Sequence, residues 1–541
     1  MLPSTLAIGC AGLMFAPENE GPQDWAGVHV TYPTTVTEIF NVDNVGPKGT
    51  LLSGWAMFRH AGESLDQLIR KAAEAKTRIL PIGSGWALSN INVTDGWLVN
   101  TKLLNGCYDI GDAYLHDDYP PEKRRNVVLA QCGMQIAELS AYLELIPSKD
   151  AERRSIKAAG IGNGQTIAGA VSGNTHGSQI TFGAMPDFVS GIHLATGGGK
   201  TLWIERHTRP VVNEAFLDKI GARLVRDDDI FNAALVSFGS FGIIAALAVE
   251  TAPIYHLEFG PIVDIDYSDL KKKLAGFATT PPTDLYHYEF IFDPHSKKQT
   301  AMEASAPKVP YVPDVPTPKP RWILRDKYGL APGISILKVL GPFRAILPPA
   351  LLTNFEYAQY RRLALLNNVR GTPGQIYTSS IYYLEGYTES SFAVAIQDAP
   401  ATIDLSSQVA RDLRLPSICQ VRVCGGSTGT LIFTQHQPIT AVFEYAMIND
   451  ERFPEFQRRL DQAFRTAGIR YTMHWSKNAG LSPDQLEYMY GQAKVESWKA
   501  ARRAVFDGDL ALMKLFETDA MVAAGLAEHS VQTTGRVVDE A

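Results

Sequence analysis

The sequence predicts an α+β fold divided into two domains near residue 255, and three observations lead there. Short segments of helical and of alternating apolar period follow one another through the first half, a succession that a β-sandwich does not produce. Two glycine-rich segments about 80 residues apart interrupt that half. After Pro253 the texture changes to longer alternating strands and amphipathic helices.

Taken in order, Leu65, Leu68, Ile69, Ala72 and Ala73 recur at helical spacing over 64–78, and the chain then runs into an apolar strand at 78–82. That strand ends in Gly83-Ser84-Gly85-Trp86-Ala87-Leu88-Ser89, where two glycines one residue apart let the backbone turn sharply and approach a ligand closely. Strands are predicted at 97–100 and 126–130, and a helix at 136–145. Segment 158–178 holds six glycines and almost no bulky side chain, so its backbone must lie close to something. A hairpin follows, with strands 189–195 and 201–205 around Gly197-Gly198-Gly199-Lys200. Residues 231–251 read as a glycine-interrupted apolar helix and a long apolar strand. Beyond the boundary, strands are predicted at 257–264 and 285–292. Six prolines in the fourteen residues 307–320 predict an extended surface loop. The apolar stretch 334–352, broken by Pro342, Pro348 and Pro349, predicts buried helical pieces in preference to a membrane-surface helix.

Composition narrows the function classes. The chain of 541 residues has 50 Lys+Arg against 57 Asp+Glu and a formal charge of −7, so no basic field is present to hold a nucleic-acid backbone. The five cysteines, Cys10, Cys107, Cys132, Cys419 and Cys424, are odd in number and scattered, against a disulfide framework or a zinc site. No apolar run of about 18 residues occurs, so membrane association is not expected. The apolar segment 6–16 has no Lys or Arg before it, which favours a cytoplasmic location over secretion. A monomer or homodimer is expected.

Neither glycine segment matches the dinucleotide fingerprint: Gly83-Ser84-Gly85 and Gly160-Ile161-Gly162 both lack the third glycine of GxGxxG. No GxxxxGK[ST] occurs either. Two separate loops rich in backbone N–H groups and hydroxyls suit the diphosphate of a long, extended ligand. The second loop contains Thr166-Ile167-Ala168-Gly169-Ala170-Val171-Ser172-Gly173-Asn174-Thr175-His176-Gly177-Ser178. It resembles the T-x-x-G-A-x-x-x-x-T-H-G-S motif of the vanillyl-alcohol-oxidase-type, or PCMH-type, flavoproteins, and the first loop resembles their P-x-G-x-G-(H)-S. Phe241-Gly242-Ile243-Ile244 is similar to the family segment that meets the adenine. His474-Trp475-Ser476-Lys477 is similar to the His-Trp-x-Lys of the sugar-alcohol and aldonolactone oxidase branch.

The resemblance covers about 50–255 and 410–520. It implies a two-subdomain FAD-binding domain of PCMH type and a substrate, or cap, domain with an antiparallel sheet flanked by helices. The corresponding boundaries are an N-terminal extension 1–45, the FAD domain 46–255, the cap 256–465 and a segment 466–541 returning to the FAD domain. FAD contacts are implied for Ile82, Gly83, Ser84, Gly85, Trp86, Ser89, Thr166, Gly169, Ser172, Gly173, Thr175, His176, Gly177, Ser178, Ile243 and Ile244. Many relatives, including the sterol-oxidase branch, attach FAD covalently through a histidine of the first loop. The aligned positions here are Trp86 or Ser84, which implies non-covalent FAD.

Oxidation of a CH–OH group by a flavin needs a group to receive the hydroxyl proton and positive charge to support the reduced flavin. The family's Glu-x-Arg pair on a cap strand stands here as Gln420-Val421-Arg422. Arg422 can polarise a substrate oxygen, whereas Gln420 cannot take a proton. Glu444, His474 and Glu289 are the candidate bases, and Lys477 is the second candidate cation. His295, in a Pro-His turn, reads as structural. Trp55, Tyr286, Tyr288, Tyr377, Tyr382, Tyr383 and Tyr445 form an aromatic stock that tilts the expected small-molecule substrate toward an apolar or aromatic compound, with a polyol close behind. Dioxygen is the expected electron acceptor. The alternatives are a dehydrogenase of the same fold, an oxidative cyclase or desaturase, and a flavin-binding protein that has lost catalysis.

Overall fold

The computed structural model describes residues 21–46, 49–146, 152–313, 315, 347–363, 366–377, 387–448, 450–478 and 480–528. The apolar segment 6–16, Tyr382, Tyr383 and most of 334–352 lie outside the described residues.

The helix Trp55–Ala75 buries Met57, Phe58, Ala61, Leu65, Leu68, Ile69 and Ala72 on one stripe and ends at Lys76 in the left-handed conformation. It connects two strands of a parallel sheet ordered Glu38–Asn41, Trp97–Asn100, Ile79–Ile82. Its buried stripe lies on a second sheet, of six strands, ordered Arg223–Arg226, Leu202–Glu205, Val189–Ala195, Ile243–Glu250, Val127–Gln131, Cys107–Asp109. Val189–Ala195 and Ile243–Glu250 are buried at every position, which explains why the second reads as a long apolar run. Gly191 faces the Trp203 indole, and a Cβ there would overlap the ring.

The strand expected at 257–264 is divided at Gly260-Pro261 into Tyr255–Phe259, in a three-stranded sheet, and Val263–Asp266, at the edge of a seven-stranded one, and two further sequence expectations change. The helix expected within 231–251 is shorter and starts earlier, at Asp228–Leu235, because the Asp227 side chain caps it by accepting from the Ile230 N–H. Phe238, Gly239 and Gly242 then take positive φ, and the chain turns into the strand Ile243–Glu250. The proline-rich stretch begins as a strand, Lys308–Pro310, at the edge of a three-stranded sheet, a place where a missing N–H is tolerated.

The cap is a seven-stranded antiparallel sheet ordered Val263–Asp266, Thr300–Ala306, His287–Phe292, Cys419–Gly425, Ile439–Ile448, Tyr387–Ala395, Tyr471–Met473. Its back face carries Tyr288, Phe290, Val421, Phe443, Tyr445 and Phe392, packed with the buried stripes of Tyr267–Thr279, Ala399–Asp412 and Phe453–Ala467. Tyr445 meets Phe456 at 4.8 Å and Tyr288 meets Phe277 at 5.1 Å between ring centroids. The alternation of each strand therefore leaves the opposite residues on the front face, toward the glycine loops.

After Tyr471–Met473 the chain crosses back to the first domain. The helix Gln492–Val505 docks on Asp228–Leu235, where Trp498 Nε1 donates to Val236 O at 3.2 Å. Arg502, fully buried, donates to Ser240 O at 2.9 Å, Met513 O at 2.6 Å and Glu517 Oε1 at 3.1 Å. Arg502→Ala strands three acceptors and should lower the thermal midpoint by roughly 5 °C or more. Lys499→Ala, which removes only a surface pair with Glu496, should shift it by about 1 °C at most. Parallel melting curves of the two variants check the assignment.

Candidate active site

Three stretches of chain meet in front of the cap sheet. The first glycine loop leaves the strand Ile79–Ile82, and Gly83 lies so close to Thr166 that a Cβ would overlap its hydroxyl. Gly85, at φ +67°, accepts from the Val28 N–H at 2.8 Å. The loop is tied to the C-terminal segment by Leu88 N–H donating to Ser476 O at 2.7 Å and Ser89 Oγ donating to Trp475 O at 2.7 Å. The second loop reaches the same segment at Gly173, where a Cβ would overlap Ser476 Oγ. Glycine is thus required at 83 and 173 by close approach of segments far apart in sequence.

The other expected cofactor contacts fall into two groups. Thr166 precedes the short helix Ile167–Ser172, which carries Gly169, and Thr175 returns to it by donating its N–H to Ala170 O at 2.7 Å. Ile82 packs its side chain with Val36, Leu80 and Leu98, and its carbonyl accepts from Thr101, so it supports the loop from beneath. Ile243 and Ile244 are paired with Ala195 and Leu194 at the start of a buried strand, just beyond Gly242. Among the described residues, Ser84 Oγ, Trp86 Nε1 and Gln165 Oε1 are buried and find no hydrogen-bond partner. Buried polar atoms are rarely left so, and these sit on the loops expected to hold the FAD diphosphate, so the residues present fit that group.

The cap sheet supplies a row of ionisable side chains. Register places Gln420 opposite Glu444, and Glu444 opposite Ser391. Arg422 lies opposite Glu289 on the other neighbouring strand. Directly paired residues share a face, so one front surface carries Glu289, Gln420, Arg422, Glu444, Ser391 and Glu389. Lys477 reaches this row from the C-terminal segment: Nζ lies 2.5 Å from Glu389 Oε1 and also contacts Glu444 Oε1. Arg422 Nε lies 3.2 Å from Glu444 Oε2, and His176 Nε2 lies 3.5 Å from Glu444 Oε1. The His176 and His474 rings stand 5.8 Å apart, with Phe433 against both.

These neighbours set the charges. Burial pushes the Glu444 carboxyl up, but Arg422, Lys477 and His176 outweigh it and hold Glu444 well below the usual carboxylate range. Glu389 ends above that range, because burial and Glu444 together exceed the pull of Lys477. Burial lowers Lys477, yet Glu389 and Glu444 more than compensate and keep the ammonium charged. Burial, Lys477 and the neighbouring His176 hold His474 far below the usual imidazole value. Burial likewise lowers His176 against the opposing pull of Glu444.

Arg422, Lys477, His474, Glu444 and Gln420 therefore come together as the sequence suggests, but the two leading base candidates are poorly suited to that role. Glu444 is locked between two cations and binds a proton weakly. The Nδ1 of His474 already accepts the Ser476 N–H at 3.1 Å, and the ring is neutral. Glu389 was missed by sequence reasoning. Its signal is the alternation of Tyr387–Ala395, in which Glu389 and Ser391 share the face opposite Phe392. Tyr288 and Tyr445 leave the substrate question, since they pack behind the sheet. Trp55 packs with Tyr108, Tyr114 and Phe216 in the first domain, away from the cap row.

The family of FAD binding domains matches residues 60–205. The chain is 25% identical over 190 residues to a D-arabinono-1,4-lactone oxidase of Eremothecium gossypii, a match covering 35% of this chain and 30% of that protein. It is 23% identical over 236 residues to the enzyme of the same name from Saccharomyces cerevisiae, covering 44% and 35%. An L-gulono-1,4-lactone dehydrogenase of Mycobacterium tuberculosis is 24% identical over 250 residues, covering 45% and 47%. These matches thus span a third to a half of the relatives' length. Among solved structures, the chain superposes on cholesterol oxidase from Brevibacterium sterolicum with a TM-score of 0.66 at 14% identity, over 92% of this chain and 96% of that one. A chitooligosaccharide oxidase superposes with a TM-score of 0.55 at 11% identity, over 91% and 93%. The shared fold is that of two-subdomain FAD-binding oxidases with a cap.

Removing one cation from the row exposes its electrostatics. In Lys477→Met two carboxylates face each other with Arg422 alone to balance them, and the thermal midpoint should fall by roughly 5 °C at pH 7. Glu389, already raised, rises further, so its penalty is relieved as pH falls through that raised value and the deficit should narrow by pH 5. Melting curves of both proteins at the two pH values provide the check; a deficit that widens toward pH 5 contradicts the charge assignment.

Proposed function

We propose that the chain, whose residues 60–205 match the family of FAD binding domains, is an FAD-dependent oxidoreductase of the vanillyl-alcohol-oxidase type acting on a CH–OH group of a small hydroxylated molecule, with dioxygen as acceptor. The observation that carries this reading is the juxtaposition of Arg422 and Lys477 on the cap row with the two glycine loops and the segment 474–478. Bound FAD supplies the acceptor for the hydride that leaves the substrate carbon. The protein's own part is to bind, orient and hold charge. Arg422 polarises the substrate oxygen as its proton departs, and Lys477 places positive charge beside the flavin loops. Glu444 fixes both cations, at 3.2 Å from Arg422 Nε and in contact with Lys477, and so aims them. The proton goes to a carboxylate of the row other than Glu444.

A polar substrate fits this row better than an apolar one. Much of the aromatic stock lies elsewhere: Tyr288 and Tyr445 behind the cap sheet, Trp55 in the first domain, and Tyr286 bonded to Tyr255 at 3.0 Å. An apolar ligand would lie against a row of charged side chains and offer them no hydrogen bond, whereas hydroxyls can bond to them. An aldonolactone or sugar alcohol is therefore the favoured class, in keeping with the names of the sequence relatives. One relative is named a dehydrogenase, which keeps an acceptor other than dioxygen as the second reading.

Non-covalent attachment follows from the first loop, where Ser84 and Trp86 stand. The histidine of the second loop, His176, is engaged with Gly177 O at 3.1 Å and with Glu444. Acid precipitation of the purified yellow protein should release its flavin into the supernatant; flavin retained in the pellet contradicts this part of the reading. Anaerobic addition of D-arabinono-1,4-lactone or a sugar alcohol should bleach the flavin absorbance, and a sterol should not. Arg422→Ala should keep its FAD while bleaching slows by about a hundredfold. Admission of air should restore the absorbance within seconds to minutes if dioxygen is the acceptor. No bleaching by any hydroxylated compound removes the proposal.

A further inference from the structure

Gln420 leaves its strand without a carboxylate, and the sheet register brings one from the next strand. Glu289 lies directly opposite Arg422. Gln420 Nε2 donates to Glu289 Oε2 at 3.4 Å, while its Oε1 accepts from Arg422 Nη2 at 3.5 Å. An amide can do both at once. A carboxylate at 420 would face Glu289 as a like charge, so Gln420 and Glu289 form a complementary pair.

Behind Glu289 stands a second buried group that the function so far leaves unused. His287, two residues back on the same face, places Nε2 at 3.3 Å from Glu289 Oε2. Its Nδ1 lies 2.9 Å from the Tyr377 hydroxyl, which also accepts from Gln179 Nε2 at 3.3 Å. All three residues of this chain are buried to within a few per cent. The Phe259 and Tyr377 rings lie 4.9 and 6.0 Å from the imidazole and fix its plane.

We propose that Glu289 is the carboxylate that receives the substrate's hydroxyl proton, and that His287, held by Tyr377, is the positioning residue that keeps Glu289 ionised and beside Arg422. The inference rests on the oxidoreductase reading above. In the step, the substrate C–H bond breaks with its electron pair passing to the bound flavin. The O–H bond breaks, its pair completes the C=O bond, and the proton goes to a Glu289 oxygen. Glu389 and Glu444 are less suited, because both share the Lys477 ammonium. Glu289 shares neither the Lys477 ammonium nor a short contact: beside His287 at 3.3 Å it has only the neutral donors Gln420 and Ser178, each at 3.4 Å, which a substrate hydroxyl can displace.

The groups facing this pair come from every surrounding element. They are Arg422, Gln420 and Glu444 from the sheet, Ser178 and Gln179 from the second glycine loop, Tyr377 from the end of the short helix Pro373–Ile376, and Tyr255 and Tyr286 beyond it. Burial raises Glu289, but His287 and Arg422 outweigh burial and the repulsion of Glu444, leaving the carboxyl below its ordinary value. Loss of His287 must therefore raise it.

The test uses the full FAD-loaded protein. Glu289→Gln should retain flavin and slow anaerobic bleaching by D-arabinono-1,4-lactone by at least about a hundredfold. His287→Gln and Tyr377→Phe should shift the acid limb of the bleaching rate to higher pH, by about one unit for His287→Gln. A substrate-free readout runs beside it: the infrared carboxylic C=O band present in His287 protein but missing from Glu289→Gln should grow in at higher pH when His287 is replaced by Gln. Bleaching of Glu289→Gln at the wild-type rate overturns the proposal and leaves the oxidoreductase reading standing. An infrared band that appears at the same pH with and without His287 overturns the positioning role. If no hydroxylated compound bleaches the wild type, the oxidoreductase reading itself fails, and the proton-acceptor assignment falls with it.

Discussion

Glu444 is the contact on which the rest of the site depends. It is buried, and it is tied at once to Arg422 from the adjacent strand, Lys477 from the C-terminal segment and His176 from the second glycine loop. A buried carboxylate without partners would cost several kcal/mol, so these three segments, distant in sequence, are held to one geometry by the need to pair it. The same need keeps both cations aimed at the space between cap and loops. Because Glu444 serves this purpose as an anion, it is poorly placed to accept a proton. In the proposed reaction, holding the charges and moving the proton fall to different carboxylates.

The C-terminal segment makes that division possible. It leaves the cap as the edge strand Tyr471–Met473 and turns through His474-Trp475-Ser476-Lys477. Within those four residues it binds the first glycine loop through Ser476 O and Trp475 O, lies against Gly173 of the second, and delivers Lys477 to the cap row. Arg502 and Trp498 then anchor the following helix to the FAD domain. Cap and cofactor loops are thus registered to one another by a short, densely bonded stretch.

What the sequence revealed follows from what is local. The glycine loops were legible because close backbone approach excludes side chains, and composition records that directly. Arg422, Lys477, His474 and Glu444 were legible as residue types in strands and motifs. Their roles were not, because a role depends on which residue a neighbouring strand or a distant segment places beside each of them. Glu289 opposite Arg422 is a product of sheet register, and Glu389 beside Lys477 a product of where the C-terminal segment crosses the sheet. The alternation of His287–Phe292 does show that His287 and Glu289 share a face, but not that Tyr377 closes that face from another element. The aromatic residues misled for the same reason: Tyr288 and Tyr445 belong to the helix-covered side of their strands.

If the glycine loops and the charged front of the cap sheet form one redox site, a crystal structure of the FAD-loaded protein will show both against the same flavin. The diphosphate should lie against 83–89 and 166–178, with the flavin ring turned toward Lys477 and Arg422. A flavin bound elsewhere, or a ring facing away from the cap row, would contradict it.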